Sequence, residues 1–206
     1  MSAYQHQNML QRSHQSSKKN NGTSTSSVEE LRQKLGGVHP LATKKVKDHL
    51  DPHLRTFIKN TPFAVMASSD EKGNCDASPK GGEPGFIQVL DDRTLLMPDF
   101  SGNRLFQSFE NFESNAKAGF IFIIPGFDVT VRINGQVEPV DKSTIYDQQK
   151  VGDSRLYSDN SEIVQGLRIR IEEAYFHCPR SFEFADLWNT KRIKENKNRS
   201  ITSLKR

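Results

Sequence analysis

Short apolar segments alternate with turn-forming clusters through the middle of the chain, from Thr61 to Val140. The segments are rich in Val, Ile, Phe and Thr, and polar clusters such as SDEKG and DDR separate them. Such alternation is typical of an antiparallel sheet. The pattern predicts strands near residues 63–69, 75–79, 86–90, 94–98, 118–124, 129–140 and 166–176.

Apolar residues at helical spacing predict several helices around these strands. Leu50, Leu54, Phe57 and Ile58 would form the buried face of a helical region that is broken near Asp51 and Pro52. The helices are expected at residues 28–35, 41–60, 103–115, 143–151 and 181–188. We therefore expect a mainly β fold with flanking helices, in which the strands form a closed or partly closed barrel without exposed edges.

The composition indicates that both ends of the chain lie outside this domain. Hydrophobic residues make up only 34% of the 206 residues, and the mean hydropathy is -0.69. The polar, low-complexity residues 1–27 lack the apolar area needed to offset chain entropy, so we expect a disordered leader. The predicted domain covers residues 28–190, and a basic tail covers residues 191–206.

The net charge of +4 is unevenly distributed along the chain. Residues 1–27 carry +3 and residues 191–206 carry +6, which leaves −5 for residues 28–190. A basic tail without aromatic residues offers nucleic acid or an anionic membrane only an electrostatic attraction. We therefore do not expect nucleic acid as a partner.

Two features bear on the compartment. No apolar run approaches the ~20 residues that cross a bilayer, and the polar beginning of the sequence predicts no secretory signal. The two cysteines, Cys75 and Cys178, suit free thiols better than a disulfide framework. We expect a cytoplasmic protein.

Three short segments carry candidate chemistry. The segment LLMPDFSGNRL predicts a strand, a turn and the start of a helix. Small residues and Arg104 at the helix start suit a phosphate group. The alternative is an ordinary helix cap with a surface arginine. SPKGG combines Lys80 with glycines such as Gly81 that allow a ligand to approach the backbone, although a flexible turn explains it equally. Arg132 lies within an apolar strand, and the flanking residues do not decide which face it takes.

The remaining chemistry-bearing residues give weaker patterns. No spacing of His and Cys resembles a zinc site, and neither a Rossmann nor a P-loop motif is present. A haem ligand or a reactive pair is open for His177 and Cys178, but we favour a packed cysteine beside a hydrogen-bonded histidine.

The ordered set of motifs DASPKG, PGFIQVLDDRTLLMPD, SGNRL, IFIIPG and TVRINGQVE resembles the pyridoxamine 5′-phosphate oxidase-like family of FMN-binding split β-barrels, and within it a subgroup of FMN-dependent enzymes. The resemblance covers roughly residues 50–188. It implies a homodimer with FMN at the subunit interface. A divergent segment follows Arg180, which puts any contacts with a substrate there in doubt.

The resemblance also implies which residues bind the cofactor. The phosphate would be held by Lys80, Asn103 and Arg104. The ring and its side chain would contact Ser78, Pro79, Gly81, Met97, Pro98, Thr130 and Arg132. The implied function is an FMN-dependent oxidoreductase acting on an unidentified small molecule, and the alternative is a flavin- or haem-binding protein without turnover. The sequence singles out no catalytic residue and no metal ligand.

Overall fold

The computed structural model describes residues 27–101, 106–148 and 163–199. The chain divides into two compact units, Met1–His39 and Pro40–Arg206. In the first unit, helix α1 (Val28–Leu35) begins at a capping box in which Ser27 and Glu30 exchange hydrogen bonds. The helix ends at Gly36, whose left-handed backbone (φ 77°) suits a residue without a side chain. The predicted helix at residues 28–35 is confirmed.

The second unit contains seven strands and six helices among the described residues. The strands are β1 (Phe63–Ser69), β2 (Cys75–Gly81), β3 (Gln88–Val89), β4 (Thr94–Phe100), β5 (Lys117–Ile123), β6 (Thr130–Asp141) and β7 (Ile163–His177). The helices are α2 (Pro40–Lys44), α3 (Pro52–Lys59), α4 (Gln107–Ser114), α5 (Lys142–Gln148), α6 (Arg180–Ala185) and α7 (Thr190–Asn198).

All seven strands belong to one antiparallel sheet in the order β2-β1-β5-β6-β7-β4-β3. The long strand β7 pairs with β6 along most of its length and with β4 along its first half. The two ends of the sheet approach each other, because Lys80 of β2 forms an ion pair with Asp99 of β4. The architecture is the expected mainly β fold with flanking helices, a split β-barrel.

Alternating residues of the strands form the core inside the barrel. Residues directly opposite each other on neighbouring strands share a face. Ala64, Phe122 and Val131 are linked in this way across β1, β5 and β6, and all three are fully buried. A smaller cluster of Leu96 and Ile145 forms where α5 covers the other face of β4.

Helix α3 packs against the main core through the expected residues. Asp51 caps the helix by accepting a hydrogen bond from the Leu54 N–H at 2.9 Å, and Pro52 occupies the first helical position. Leu54, Phe57 and Ile58 are buried, as predicted. These contacts fix the C-terminal end of residues 45–51, the polar segment that precedes α3.

The predicted strands are confirmed with small differences in their bounds. The predicted helical region 41–60 consists of two short helices, since residues 45–51 lie outside both. Residues 103–105 and 149–151, which were assigned to predicted helices, lie outside the described residues. Helix α7 was not predicted, because its sequence TKRIKENKN has no apolar face; Asn189 caps it by accepting hydrogen bonds from two N–H groups.

No helix in the described ranges combines the length and the apolar character needed to span a membrane.

Candidate functional site

Lys80 and Asp99 form a half-buried ion pair inside the barrel. The Lys80 Nζ lies 3.0 Å from the Asp99 Oδ1, and the side chains are 17% and 18% exposed. Lys80 pairs with the fully buried Ala64, which places its side chain on the core face of β2. A lysine is rarely placed in such surroundings without a counter-ion, and Asp99 supplies one here.

A row of polar side chains continues from Lys80 along the same face of β2. Ser78 and Asp76 alternate with exposed residues, and both are half-buried. The Ser108 hydroxyl of α4 donates a hydrogen bond to the Asp76 Oδ2 at 2.6 Å. This contact fixes α4 against the inner face of β2.

Further contacts define the direction of helix α4. Asn111 donates a hydrogen bond to the Ser68 hydroxyl, and Asn115 donates one to the Ser69 carbonyl. The C-terminal end of the helix therefore lies at the turn between β1 and β2. Its first turn lies beside Asp76, on the face of β2 that also carries Ser78 and Lys80.

Among the described residues, no side chain caps the N-terminus of α4. Phe106 precedes the helix in a left-handed conformation (φ 54°) and makes no side-chain hydrogen bond to the first turn. The first N–H groups of a helix have no partners within the helix and attract anions. Asn103 and Arg104, which are expected to bind phosphate here, lie outside the described residues.

The other expected residues of β2 and β4 take different positions. Pro79 and Gly81 are exposed on the outer face of β2. Met97 is completely buried in the main core, whereas Pro98 is buried on the opposite face of β4. The expected contacts of these four residues with a flavin stay predictions.

Thr130 and Arg132 lie on the outer face of the sheet, because they flank the core residue Val131 in β6. Thr130 pairs with His177 and Arg132 pairs with Tyr175. The Arg132 guanidinium carbon lies 5.5 Å from the centre of the Tyr175 ring. Within one chain, Lys80 and Arg132 therefore face opposite sides of the sheet.

His177 ends strand β7 beside this arginine. Its Nδ1 atom is buried and has no hydrogen-bond partner among the described residues. Burial lowers the pKa of His177, and the nearby charges of Arg132 and Lys45 lower it further. A buried ring nitrogen without a partner costs about 1–3 kcal/mol, so this nitrogen marks a place where a ligand or water can contribute.

The structure contradicts the favoured interpretation of both His177 and Cys178. We expected a hydrogen-bonded histidine, but the His177 Nδ1 is unpartnered within the described ranges. We expected a packed cysteine, but Cys178 is exposed at the end of the strand. The strand stops pairing at His177, which is why the next residue reaches the surface.

The segment after β7 is held on the barrel by Trp188. Its Nε1 donates a hydrogen bond to the Phe127 carbonyl at 2.9 Å, and its ring lies 6.0 Å from that of Phe182. Phe127 in turn contacts the edge of the Phe57 ring in α3. The link between α6 and α7 is therefore held near the turn between β5 and β6.

The sequence interpretation missed Asp99, Tyr175 and Lys45. Asp99 belongs to the quoted segment LLMPDF, but only the curvature of the sheet reveals its contact with Lys80. Lys45 and Tyr175 are far apart in sequence, so no local pattern connects them. In the described part of the chain, no group of three or more His, Cys, Asp or Glu residues could hold a metal ion.

Comparison with known proteins gives one family and several similar structures. Residues 50–178 match the family model described as Pyridoxamine 5′-phosphate oxidase. No curated protein matches the chain. Similar solved structures include HupZ of Group A Streptococcus, with 19% identity, a TM-score of 0.46, and coverage of 61% of this chain and 91% of that chain.

Two further structures are similar to this chain. A pyridoxamine 5′-phosphate oxidase-like protein of Lactobacillus delbrueckii has 18% identity and a TM-score of 0.45, over 63% of this chain and 95% of that chain. A protein of Clostridium acetobutylicum related to general stress protein 26 has 12% identity and a TM-score of 0.44, over 60% and 84% of the two chains.

Proposed function

Because the chain belongs to the pyridoxamine 5′-phosphate oxidase family, we propose that it is an FMN-dependent oxidoreductase acting on a small molecule. The observation that carries the proposal is the half-buried Lys80 on the inner face of β2, the face to which Ser108 in the first turn of α4 is hydrogen-bonded through Asp76. A cation and a helix N-terminus on the same face of the sheet suit the phosphate of a flavin nucleotide.

The residues on this face fit an anionic cofactor. Lys80 would hold the phosphate together with Asn103 and Arg104, and Asp99 would keep the lysine oriented in the absence of ligand. Ser78, Pro79 and Gly81 would offer a hydroxyl and backbone groups to the ring, and Met97 and Pro98 would support it. When bound, FMN supplies the redox chemistry by accepting a hydride at its N5 atom.

We further propose that two copies of the chain complete each site. Thr130 and Arg132 lie on the outer face, away from Lys80, so one flavin cannot easily meet both groups within a single chain. The same outer face exposes Phe63 and Ile121. A second copy seated there would cover this apolar surface and bring its own outer residues to the flavin, as a homodimer with FMN at the interface requires.

The exposed cysteines and the cationic helix α7 bear on the compartment of the protein and on its partners. Cys75 and Cys178 are free and exposed, which supports a reducing compartment and hence a cytoplasmic protein. The cationic helix α7 contains no aromatic residue, so we do not propose nucleic acid as a ligand.

The absorption spectrum of the purified full-length protein tests the cofactor directly. We expect flavin bands, and release by heat or acid should yield FMN that is identified by its mass. A haem band would replace the proposal with the haem-binding alternative. A colourless protein that takes up no added FMN would end the flavoenzyme interpretation.

Three variants locate the phosphate site in the same assay. Lys80→Met should weaken FMN binding by about 1.5–3 kcal/mol, the range for a hydrogen bond to a charged group. Lys80→Arg should retain much of the affinity, because it preserves the charge. Lys59→Met, which removes an exposed lysine of α3, is the matched control. Equal affinities of all three variants would show that the phosphate lies elsewhere.

A flavin that is reduced and reoxidised by added donors and acceptors would distinguish an enzyme from a binding protein.

Sedimentation tests the dimer, for which Ile121→Lys is designed to place a charge in the covered surface. We expect this variant to be a monomer with weakened FMN binding. A native monomer that still holds flavin would contradict the shared site.

A further inference from the structure

Two cations and a histidine surround the ring of Tyr175 on the outer face of the sheet. The Lys45 Nζ lies 5.3 Å from the ring centre, and the Arg132 guanidinium carbon lies 5.5 Å from it. His177 lies on the same face two residues further along β7. These three basic residues come from three different parts of the chain.

The backbone holds Lys45 at this position. The segment after α2 forms an isolated bridge to β7, in which the Lys47 N–H donates to the Ala174 carbonyl at 3.0 Å and the Ala174 N–H donates to the Lys47 carbonyl at 2.7 Å. Lys47 also forms an ion pair with Asp51, the cap of α3. Lys45 is therefore placed beside Tyr175 by an anchored segment of backbone.

No carboxylate in the described part of the chain neutralises the two cations of this cluster by an ion pair. Neither Lys45 nor Arg132 forms an ion pair within residues 27–101, 106–148 and 163–199. Glu173 is the carboxylate on the same face of β7, and its Oε2 accepts a hydrogen bond from Asn134 at 2.7 Å. Among the described residues, the charged and titratable groups on the face of His177 are thus Lys45, Arg132, Tyr175 and, further along the strand, Glu173.

We propose that Lys45, Arg132 and His177 bind an oxyanion, a carboxylate or phosphate group, of a small anionic substrate. The assignment of this anion to a substrate rests on the proposed function, whereas the anion site itself does not. Arg132 offers a planar set of donors that matches two oxygens, and Lys45 adds a mobile point charge. His177 contributes a ring N–H and takes up a proton more readily once a negative charge is near.

The position of the cluster relates it to the proposed flavin contacts. Thr130 and Arg132 are two residues apart on the outer face of β6, and Thr130 is paired directly with His177. An oxyanion held by this cluster would therefore lie beside the part of the outer face that is proposed to meet the flavin. The cluster would orient a substrate by its charged end, so these are binding and positioning residues.

The test uses the full-length protein without FMN and follows the ring signals of its six histidines by NMR. The spectrum of His177→Gln assigns the His177 signal. Its pKa is measured with sodium phosphate, sodium acetate or sodium chloride at equal ionic strength. We expect phosphate, acetate or both to raise the pKa of His177 by about one unit relative to chloride, because an opposite charge favours the imidazolium. The salt with the larger effect identifies the preferred oxyanion.

Two variants and two controls make the test specific. Lys45→Gln and Arg132→Gln should each reduce the anion-dependent shift by at least about half, since each removes one of the two cations. Lys45 is exposed, so its substitution should leave the fold intact even where Arg132→Gln fails to fold. Lys59→Gln and Arg168→Gln remove an exposed lysine and an arginine outside the cluster and should leave the shift unchanged.

Equal pKa values in all three salts, or equal shifts in Lys45→Gln and Lys59→Gln, would overturn the anion site. The flavin spectrum of the purified protein is a separate measurement. An anion-dependent shift in a protein that binds no flavin would keep the site and remove its link to a redox substrate. A flavoprotein without the shift would keep the proposed function and remove the anion site.

Discussion

Lys80 and Asp99 meet at 3.0 Å although their strands, β2 and β4, lie near opposite ends of the seven-stranded sheet. The pair is therefore a direct contact across the gap of the split barrel. Both side chains are less than one-fifth exposed, so the attraction is screened less than that of a surface pair. The same lysine is the proposed phosphate ligand, so in that proposal closure of the barrel would be coupled to binding of the cofactor.

Removal of either charge should destabilise the protein without ligand. Asp99→Asn or Lys80→Met alone should lower the free energy of unfolding by about 1–3 kcal/mol, because each leaves a half-buried charge without its partner. The double variant should lose less than the sum of the two. Urea unfolding of the four proteins gives the coupling energy. Strictly additive losses would show that the contact contributes nothing.

Arg104→Ala should weaken FMN binding by about 1.5–3 kcal/mol, or about 10- to 150-fold, if its guanidinium contacts the phosphate. Arg104→Lys should lose less, because the charge remains while the planar fork is lost. Fluorescence titration with FMN measures both, and riboflavin, which lacks the phosphate, serves as the control ligand. A loss that is equally large for riboflavin would place Arg104 away from the phosphate.

The sequence predicted those features that depend on local periodicity. The strand expected at residues 129–140 is present as β6, and the spacing of Leu54, Phe57 and Ile58 is that of a helix packed on a core. Both elements are present because burial of these faces is the main driving force of folding.

The features that the sequence did not predict arise from contacts between distant segments. The ion pair of Lys80 and Asp99 depends on how far the sheet curls, and the contact of Lys45 with Tyr175 depends on the backbone bridge to β7. Helix α7 lacks the apolar spacing on which the prediction of helices relied. Lys80 was expected just after the strand at residues 75–79, whereas β2 extends to Gly81 and includes it. The partner that neutralises this lysine is a tertiary feature.

The stability of the protein should depend on pH through His177. Its folded-state pKa lies below the ordinary value of 6.5, chiefly because of burial and then because of Arg132 and Lys45. Between these two pKa values the unfolded chain binds more protons than the folded protein, so the free energy of unfolding rises with pH. His177→Gln should remove this part of the slope.

Urea unfolding from about pH 5 to about pH 8 checks the effect. The comparison of the native protein with His177→Gln is essential, because the pKa values of Asp48 and Asp51 are also lowered and their contributions are lost only in more acidic solution. Parallel pH profiles for the two proteins would show that His177 titrates alike in the folded and unfolded states.

Gly135→Ala should destabilise the barrel by about 1–3 kcal/mol through overpacking. Gly135 lies at the register shift between β6 and β7, where an added Cβ would come within 2.3 Å of the Arg170 carbonyl oxygen. The backbone must move to accommodate it. Gly81→Ala is the control, since its Cβ would lie 3.4 Å from the nearest atom. Equal unfolding midpoints for the two variants would contradict this account of the register shift.

Trp188→Phe should loosen the C-terminal helices while leaving the barrel intact. The substitution keeps an aromatic ring near Phe182 but removes the N–H that donates to the Phe127 carbonyl. Loss of one hydrogen bond of about 0.5–1.5 kcal/mol should raise the open population of this segment about 2- to 10-fold. The rate of tryptic cleavage within residues 180–199 reports that population when opening and closing are fast.

Phe184→Leu, at a side chain that is 78% exposed, is the control and should be cleaved at the native rate. An unchanged rate in Trp188→Phe would show that the hydrogen bond does not anchor the segment, and a loss of global stability equal to the local effect would show that α6 unfolds only together with the barrel.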